Sequence, residues 1–537
     1  MGALLLFSAW GISPVPAAAR EGQDPPAVVA REVQDLIRKG QELELEERWS
    51  EALTHYEDAY REHPQVREFE QGMRYSRIHY DLGRRYGDSS FRQQLLASSE
   101  RVALDLYAEV LLMVQSHYVD KPNWKQILER GLTGFDVALT SPTFAKHHLA
   151  DVPEERVDAA RMNLRTWLLQ QKVTTRHDAR EIVAGAARYM HRELGLSSTA
   201  CIVEFTCGAA NSLDEYSSFL TGDQLEETYA QIEGNFVGLG VELKSDEGSL
   251  LIVKVISRSP AEKAGIKAGD HIVAVNRESI VGMDTDAAAD KLQGPEGTSV
   301  DVTVVTAGLR PRVLKIVRAQ VDVPSVDDIK VIDPQFGVAY LKLTCFQKTT
   351  SRDLDKALLQ LQKQGMKSLI IDLRGNPGGL LTASVDVADK FVERGTIVST
   401  RGRIPAEQHE YQARVNGTWK MPLVLLIDGD SASASEILAG CIRDNRRGTI
   451  VGTRSYGKGS VQGIFSLDRA KVGLRLTTSR FYSPNGHPFS KIGVEPDVVV
   501  RTAAKPIDGQ VASLAGQDND LILQSGIDAA RQRMARR

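Results

Sequence analysis

The sequence predicts a multidomain α+β chain: a long helical N-terminal region, a small β-rich unit of sandwich-like type, and an α/β core. Three observations carry that expectation. From about residue 28 to 228, apolar residues recur at three- and four-residue spacing, as on helices with one buried face. After Gly234 the texture changes to short apolar runs separated by glycine turns. From Gly337 onward strand-like and helix-like segments alternate, which calls for crossover helices over a sheet. The length of 537 residues fits three or four units at roughly 150 residues each.

At the N-terminus, Ala3–Trp10 is a short apolar run and Ala17-Ala18-Ala19 follows as a small-residue cleavage site. Residues 1–20 are therefore expected to be a secretory signal, too short to span a membrane, and the chain an exported one, periplasmic or attached to the cell envelope. No Lys or Arg precedes the run, so an apolar N-terminal strand or a start further upstream stays open. Within the helical region at 28–228, Arg48–Tyr60 followed by Pro64 resembles one tetratricopeptide hairpin, at about 45–64. Such repeats need three or more copies to bury a continuous core, and one unit is visible. His147, His148 and His177 have no partners at ligand spacing and are expected in solvent.

In the β-rich unit, runs at Leu250–Ile256 and His271–Val275 bracket Ser259-Pro260-Ala261 and two glycine turns. A helix-like stretch, Thr285–Leu292, then precedes the alternating strand Val300–Val305. The last part reads as strand Gly337–Leu343, helix Arg352–Gln364, strand Ser368–Leu373, helix Leu380–Glu393, strand Leu423–Ile427, helix Ser435–Asn445 and strand Thr449–Val451. A tail at 504–537 carries one short helix.

Composition excludes several classes. Apolar residues make up 42% and charged ones 25%, so each unit can bury a core and the chain is neither disordered nor fibrous. Sixty-six basic against 70 acidic side chains give a net charge of −4, which argues against a nucleic-acid partner held by a basic face. Four cysteines make no disulfide framework; Cys201 and Cys207 are near enough in sequence to pair, and buried thiols are the simpler reading. Zinc-ligand spacings are absent, and no metal or organic cofactor is implied.

Three segments carry chemistry. Asp428–Glu436 follows an apolar strand and opens a helix; Ser433 and Glu436 fit a capping box, while a serine at such a turn also stands beside N–H groups able to hold an oxyanion. Gly452–Ser460 nearly spells a phosphate loop, but Gly459 stands where the Mg²⁺-binding hydroxyl belongs. A lysine between two glycines, Lys458, instead suits a desolvated amine acting as general base, with Gln462 four residues on to orient it. Asp372–Leu380 runs from a strand into a glycine turn whose N–H groups suit an oxyanion, or serve only as a turn.

Together with Leu213–Leu220, Phe236–Gly240 and Gly493–Asp497, these segments resemble, in order, the carboxy-terminal processing (tail-specific) protease family, serine endopeptidases with an inserted PDZ domain. The resemblance runs from about Asp214 to Asp497. It implies a PDZ domain at 234–320 and a crotonase-like α/β serine protease core at 321–503. It makes Ser433 the nucleophile, Lys458 the base 25 residues on, and Gln462 the orienting partner. Ala434 and one of Gly378 and Gly379 would supply the oxyanion hole, and Phe236, Val237, Gly238, Leu239 and Gly240 the loop that captures a substrate's terminal carboxylate. The implied function is cleavage of C-terminal tails through an acyl-enzyme. The implied partners are proteins or peptides with free C-termini, and an adaptor or a second copy bound through the helical region. The rivals are a peptide-binding adaptor with a vestigial protease core and a different acyl chemistry on the same core. Two departures stand out: Thr306 where many members have Arg, and Leu-Asp-Glu-Tyr-Ser at 213–217 in place of Leu-Asp-Pro-His-Ser, expected to alter only a local turn.

Overall fold

The computed structural model describes residues 26–246, 249–283, 288–289, 291–414, 418–468, 470–500 and 520–535. The expected secretory signal, most of the helix-like stretch Thr285–Leu292 and residues 504–519 of the tail lie outside them. The chain divides into two compact units, residues 1–80 and 81–537. In the first, α1 (Pro26–Leu45), α2 (Trp49–Glu62) and the start of α3 (Arg67–Gly87) enclose a small core of Tyr56, Ala59 and Phe69. Glycines make it possible: a Cβ at Gly40 or Gly72 would lie 2.3 or 2.5 Å from the Tyr56 ring. The hairpin expected near 45–64 thus lies within a three-helix group.

In the second unit, α4 (Glu100–His117), α5 (Trp124–Thr140) and α8 (Arg176–Leu194) pack on α9 (Ser198–Asn211), α6 (Pro142–His148) and α7 (Glu154–Leu169) lie outside against α5 and α8, and α10 (Gly222–Glu233) follows. Helix α9 is apolar or small on nearly every side, so it is buried all round. It approaches α5 closely because both are glycine there: a Cβ on Gly208 would meet the Gly131 carbonyl at 3.0 Å. Cys201 and Cys207 both sit on α9 as free buried thiols, since six residues along a helix place them on different faces. The His148 ring is not solvated as expected; it is half-buried and meets Tyr86 Oη at 3.1 Å, whereas His147 and His177 are exposed.

This helical core continues into a sheet. The long hairpin β17 (Ser460–Leu467) and β18 (Val472–Tyr482) contributes Leu467, Val472, Leu474 and Leu476 to the same apolar cluster. Strands β1 (Ser218–Leu220) and β13 (Thr396–Gly402) pair antiparallel with β18, and β14 (His409–Gln412) completes the sheet. A second sheet has the order β10 (Val326–Asp333), β11 (Val338–Leu343), β12 (Ser368–Asp372), β15 (Leu423–Ile427), β16 (Thr449–Gly452), β19 (Val498–Val499), parallel from β11 on. Its central strands read as unbroken apolar runs because both faces are covered. Helices Thr350–Lys363, Leu381–Asp389 and Ala434–Asp444 cover one face, packing on Leu341, Ile371 and Leu425. The C-terminal helix Leu521–Ala535 covers the other, against Tyr340, Ile370, Val424 and Leu426. Strands Leu423–Ile427 and His271–Val275 fall where the sequence placed them, and the other element boundaries that can be compared differ by at most four residues.

The small unit forms a five-stranded antiparallel path, β3 (Val241–Asp246), β4 (Ser249–Val255), β5 (His271–Val275), β7 (Ser299–Val305), β8 (Arg312–Val317), with β6 (Glu278–Ser279) beside β5. Its core has its own residues, among them Leu239, Ile252, Ile272 and Val302. A separate ribbon, β2 (Asn235–Gly238) against β9 (Ala319–Asp322), joins it to the rest.

Candidate active site

The three chemistry-bearing segments meet at the end of the parallel sheet where β12, β15 and β16 run into their loops. Ser433 lies in the turn between β15 and the helix it caps, at φ 56° and ψ −112°. A side-chain residue there is strained and is held only because its surroundings dictate it. The flanking serines do so. Ser431 Oγ donates to the Leu373 carbonyl at 2.8 Å, and Ser435 Oγ to the Asn376 carbonyl at 3.0 Å. Both are fully buried, whereas Ser433 is half-exposed, so of the three serines only the middle one reaches the surface.

The glycine turn is seated on that loop by Asn376, which is fully buried. Its Nδ2 donates to Leu343 O at 2.8 Å, its Oδ1 accepts from Gly378 N at 2.9 Å, and its carbonyl accepts from Ala432 N at 3.0 Å. Gly378 and Gly379 have φ of 106° and 139°, and a Cβ on Gly378 would fall 2.8 Å from Ser433 Cβ and 2.9 Å from Ala434 N. Only glycine allows this approach. The Gly378 N–H is committed to Asn376, which leaves the Gly379 N–H as the turn's available donor beside Ala434.

Glu436 joins the Ser433 turn to the Lys458 loop. Its carboxylate, with no exposed surface, accepts from Ser433 N at 2.8 Å, Lys458 N at 2.9 Å, Gly457 N at 2.7 Å and Ser455 Oγ at 2.6 Å. Burial pushes its pKa up, and these donors oppose that. The expected capping box is thus present in its Glu half, and the same carboxylate reaches a loop 22 residues further on.

Lys458 is half-buried, and its glycine neighbours let residues 490–492 pack close on either side of it. A Cβ on Gly459 would fall 2.2 Å from Ser490 N, and Lys491 N donates to Gly457 O at 2.8 Å. Burial lowers the amine's pKa and the Arg475 charge adds to this, while Glu215, Glu436 and Asp214 act against it. Gln462, on β17, donates to Ser460 Oγ at 2.9 Å, and no hydrogen bond joins it to Lys458 in this geometry.

Residues 337–500 match Peptidase family S41 and residues 251–306 match the PDZ domain. The carboxy-terminal-processing protease of Bartonella bacilliformis is 39% identical over 299 residues, 55% of this chain and 68% of that protein. The chain belongs to the carboxy-terminal-processing proteases of family S41. The carboxyl-terminal-processing protease of Synechocystis sp. is 35% identical over 269 residues, 49% of this chain and 62% of that protein. A solved structure of the photosystem II D1 C-terminal processing protease aligns at 26% identity and a TM-score of 0.41, over 76% of this chain and 95% of that one. By its fold and the two family matches, this S41 serine peptidase has the expected helical region, PDZ domain and α/β core, and the S41 match contains all three segments just described.

The remaining expected site residues fall in the PDZ domain. Phe236, Val237 and Gly238 are not loop but strand, paired with Val321, Gln320 and Ala319. The turn is reduced to Leu239, which is buried, and Gly240, whose φ of 83° and packing against Ser259 exclude a side chain. At Thr306 the hydroxyl donates to the buried Asp270, which also takes Arg312 at 2.7 Å from the adjacent strand. The Glu215-Tyr216 departure is more than a local turn: Lys458 Nζ lies 4.6 Å over the Tyr216 ring centroid. Sequence reasoning passed over Glu436 as a clamp, Asn376 and Tyr216. The S-x-x-E spacing did signal Glu436, but its partners 19 to 22 residues away are set by tertiary packing.

Proposed function

We propose that this chain is an endopeptidase that binds the free C-terminal tail of a protein and cleaves it by a Ser433–Lys458 dyad through an acyl-enzyme. The observation that carries the reading is the Glu436 carboxylate, which binds the backbone N–H groups of both Ser433 and Lys458. Neutral Lys458 takes the Ser433 proton as Oγ attacks the scissile carbonyl, and the developing oxyanion is met by the N–H groups of Ala434 and Gly379. Lys458 then returns the proton to the leaving amine, and water, deprotonated by the same amine, hydrolyses the ester. Gln462 orients the amine once its amide leaves Ser460. In the PDZ domain β3 ends its sheet with one edge unpaired among the described residues, which suits addition of an extended tail as a further strand.

We further propose that the protein acts outside the cytoplasm, from the apolar run Ala3–Trp10 and the alanines after it, and that its helical region receives an adaptor or a second copy. No described helix is long and apolar enough to cross a membrane.

The test is a fluorophosphonate probe followed by peptide mapping, with cleavage of an unstructured tailed substrate measured alongside. Labelling at Ser433, and loss of cleavage in folded Ser433→Ala and Lys458→Ala, is the expected result. Cleavage retained by either variant overturns the mechanism, and a parent chain that neither labels nor cleaves is a peptide-binding adaptor instead.

A further inference from the structure

The turn before β1 is bolted to the sheet that carries the active-site wall. Asp214 accepts from Tyr216 N and Ser217 N, both at 2.8 Å, and from Thr477 Oγ1 at 3.1 Å, while Thr477 N donates to Ser217 Oγ at 3.1 Å. Thr477 is on β18, directly opposite Gln462 of β17. The turn is thus held in place, and it presents the half-buried Tyr216 ring to Lys458, whose Nζ stands 4.6 Å over the ring centroid. Glu215, the residue before Tyr216, is exposed, and its negative charge acts on both groups.

We propose that Glu215 and Tyr216 favour the ammonium form of Lys458 against its burial, and so raise the pH above which the base becomes available. An aromatic face and a carboxylate attract an ammonium and do little for a neutral amine. The ammonium gives one proton to solvent before the amine takes one from the Ser433 hydroxyl, so whatever stabilises it delays activity to higher pH. The groups facing the amine divide by sign. Glu215, Asp214 and Glu436 favour the ammonium, and Arg475 on β18 opposes it; Tyr456 stands beside the Tyr216 ring. This inference rests on Lys458 being the base, and the experiment separates the two.

Two titrations are compared on the full chain: the pH dependence of kcat/KM on an unstructured tailed peptide, and the rate of Lys458 acetylation by acetic anhydride against pH, read by peptide mass. Acetylation titrates the amine whether or not it is catalytic. Glu215→Gln and Tyr216→Leu are expected to move both midpoints down by about 0.5 to 1 pH unit. Tyr216→Phe keeps the aromatic face and is expected to restore the parent midpoints, which a loss of fold would not do; Arg475→Met is expected to move them up. Acetylation midpoints of Glu215→Gln and Tyr216→Leu that coincide with the parent overturn this inference. An acetylation midpoint that moves while the kcat/KM midpoint stays overturns Lys458 as the base.

Discussion

Ser433 alone does not make this site; the residue that organises it is Glu436. Its four donors include the backbone N–H groups of Ser433 and Lys458, the proposed nucleophile and base. In Glu436→Gln one oxygen becomes an NH₂ facing N–H groups, so buried donors lose their acceptor. We expect a stability loss of about 2–4 kcal/mol by urea denaturation, with kcat falling more than KM rises. Lys458 makes the opposite contribution. Its pKa is lowered from 10.5, so the unfolded chain binds the proton more tightly. Stability then rises with pH from the folded pKa up to 10.5, and at neutral pH the buried amine is a net cost. Lys458→Met is therefore expected to be inactive yet to melt at a higher temperature than the parent at pH 7, the difference shrinking toward pH 10. Equal melting temperatures at pH 7 would contradict this.

At the scale of elements, the turns of the candidate site are shaped by what glycine leaves out. Gly378→Ala places a Cβ 2.8 Å from Ser433 Cβ at a backbone angle that alanine rarely adopts. It is expected to cost about 1–3 kcal/mol and most of the kcat. Gly459→Ala acts from the other side: its Cβ meets Ser490 N, pushes residues 490–492 off the lysine and lets water reach the amine. Less desolvation raises the amine's pKa, so the acid limb of kcat/KM is expected to move to higher pH, against the direction expected of Glu215→Gln. A pH–rate profile of the two variants checks the opposed signs. These turns were visible in the sequence as glycine clusters at strand ends. Which N–H of the Gly378-Gly379 pair is available was not, because it depends on Asn376 Oδ1.

For the whole molecule, the boundary drawn at 228 between helices and the remainder does not separate two cores. Leu474 and Leu476 of β18 lie in the cluster built by α4 to α9. The catalytic core cut out as 321–503 would expose that face of β18. It would also lose the helix Leu521–Ala535, which covers Ile370, Val424 and Leu426. We expect that fragment to aggregate, and residues 234–322, which keep their own core and the β2–β9 ribbon, to give a cooperative thermal transition on their own. Inside the helical core, Arg85 and Glu204 form a buried ion pair. Glu204→Gln leaves the guanidinium uncompensated, at an expected cost of about 3–5 kcal/mol measured by denaturation.

Local chemistry in the sequence determined the elements and the reactive groups. Apolar runs bounded by glycine placed the strands within a few residues, the serine and lysine lay at strand ends, and the glycines beside Lys458 foretold the close packing there. These are legible because hydrophobic periodicity and turn preference act between near neighbours. Tertiary structure alone decided which groups meet. It converted a capping glutamate into a clamp, turned Phe236–Gly238 into a strand by giving it β9 as a partner, and brought Tyr216 over an amine more than 200 residues away. Those outcomes depend on burial and on hydrogen bonds between distant segments, where a carboxylate or a ring acts on whatever the fold sets against it.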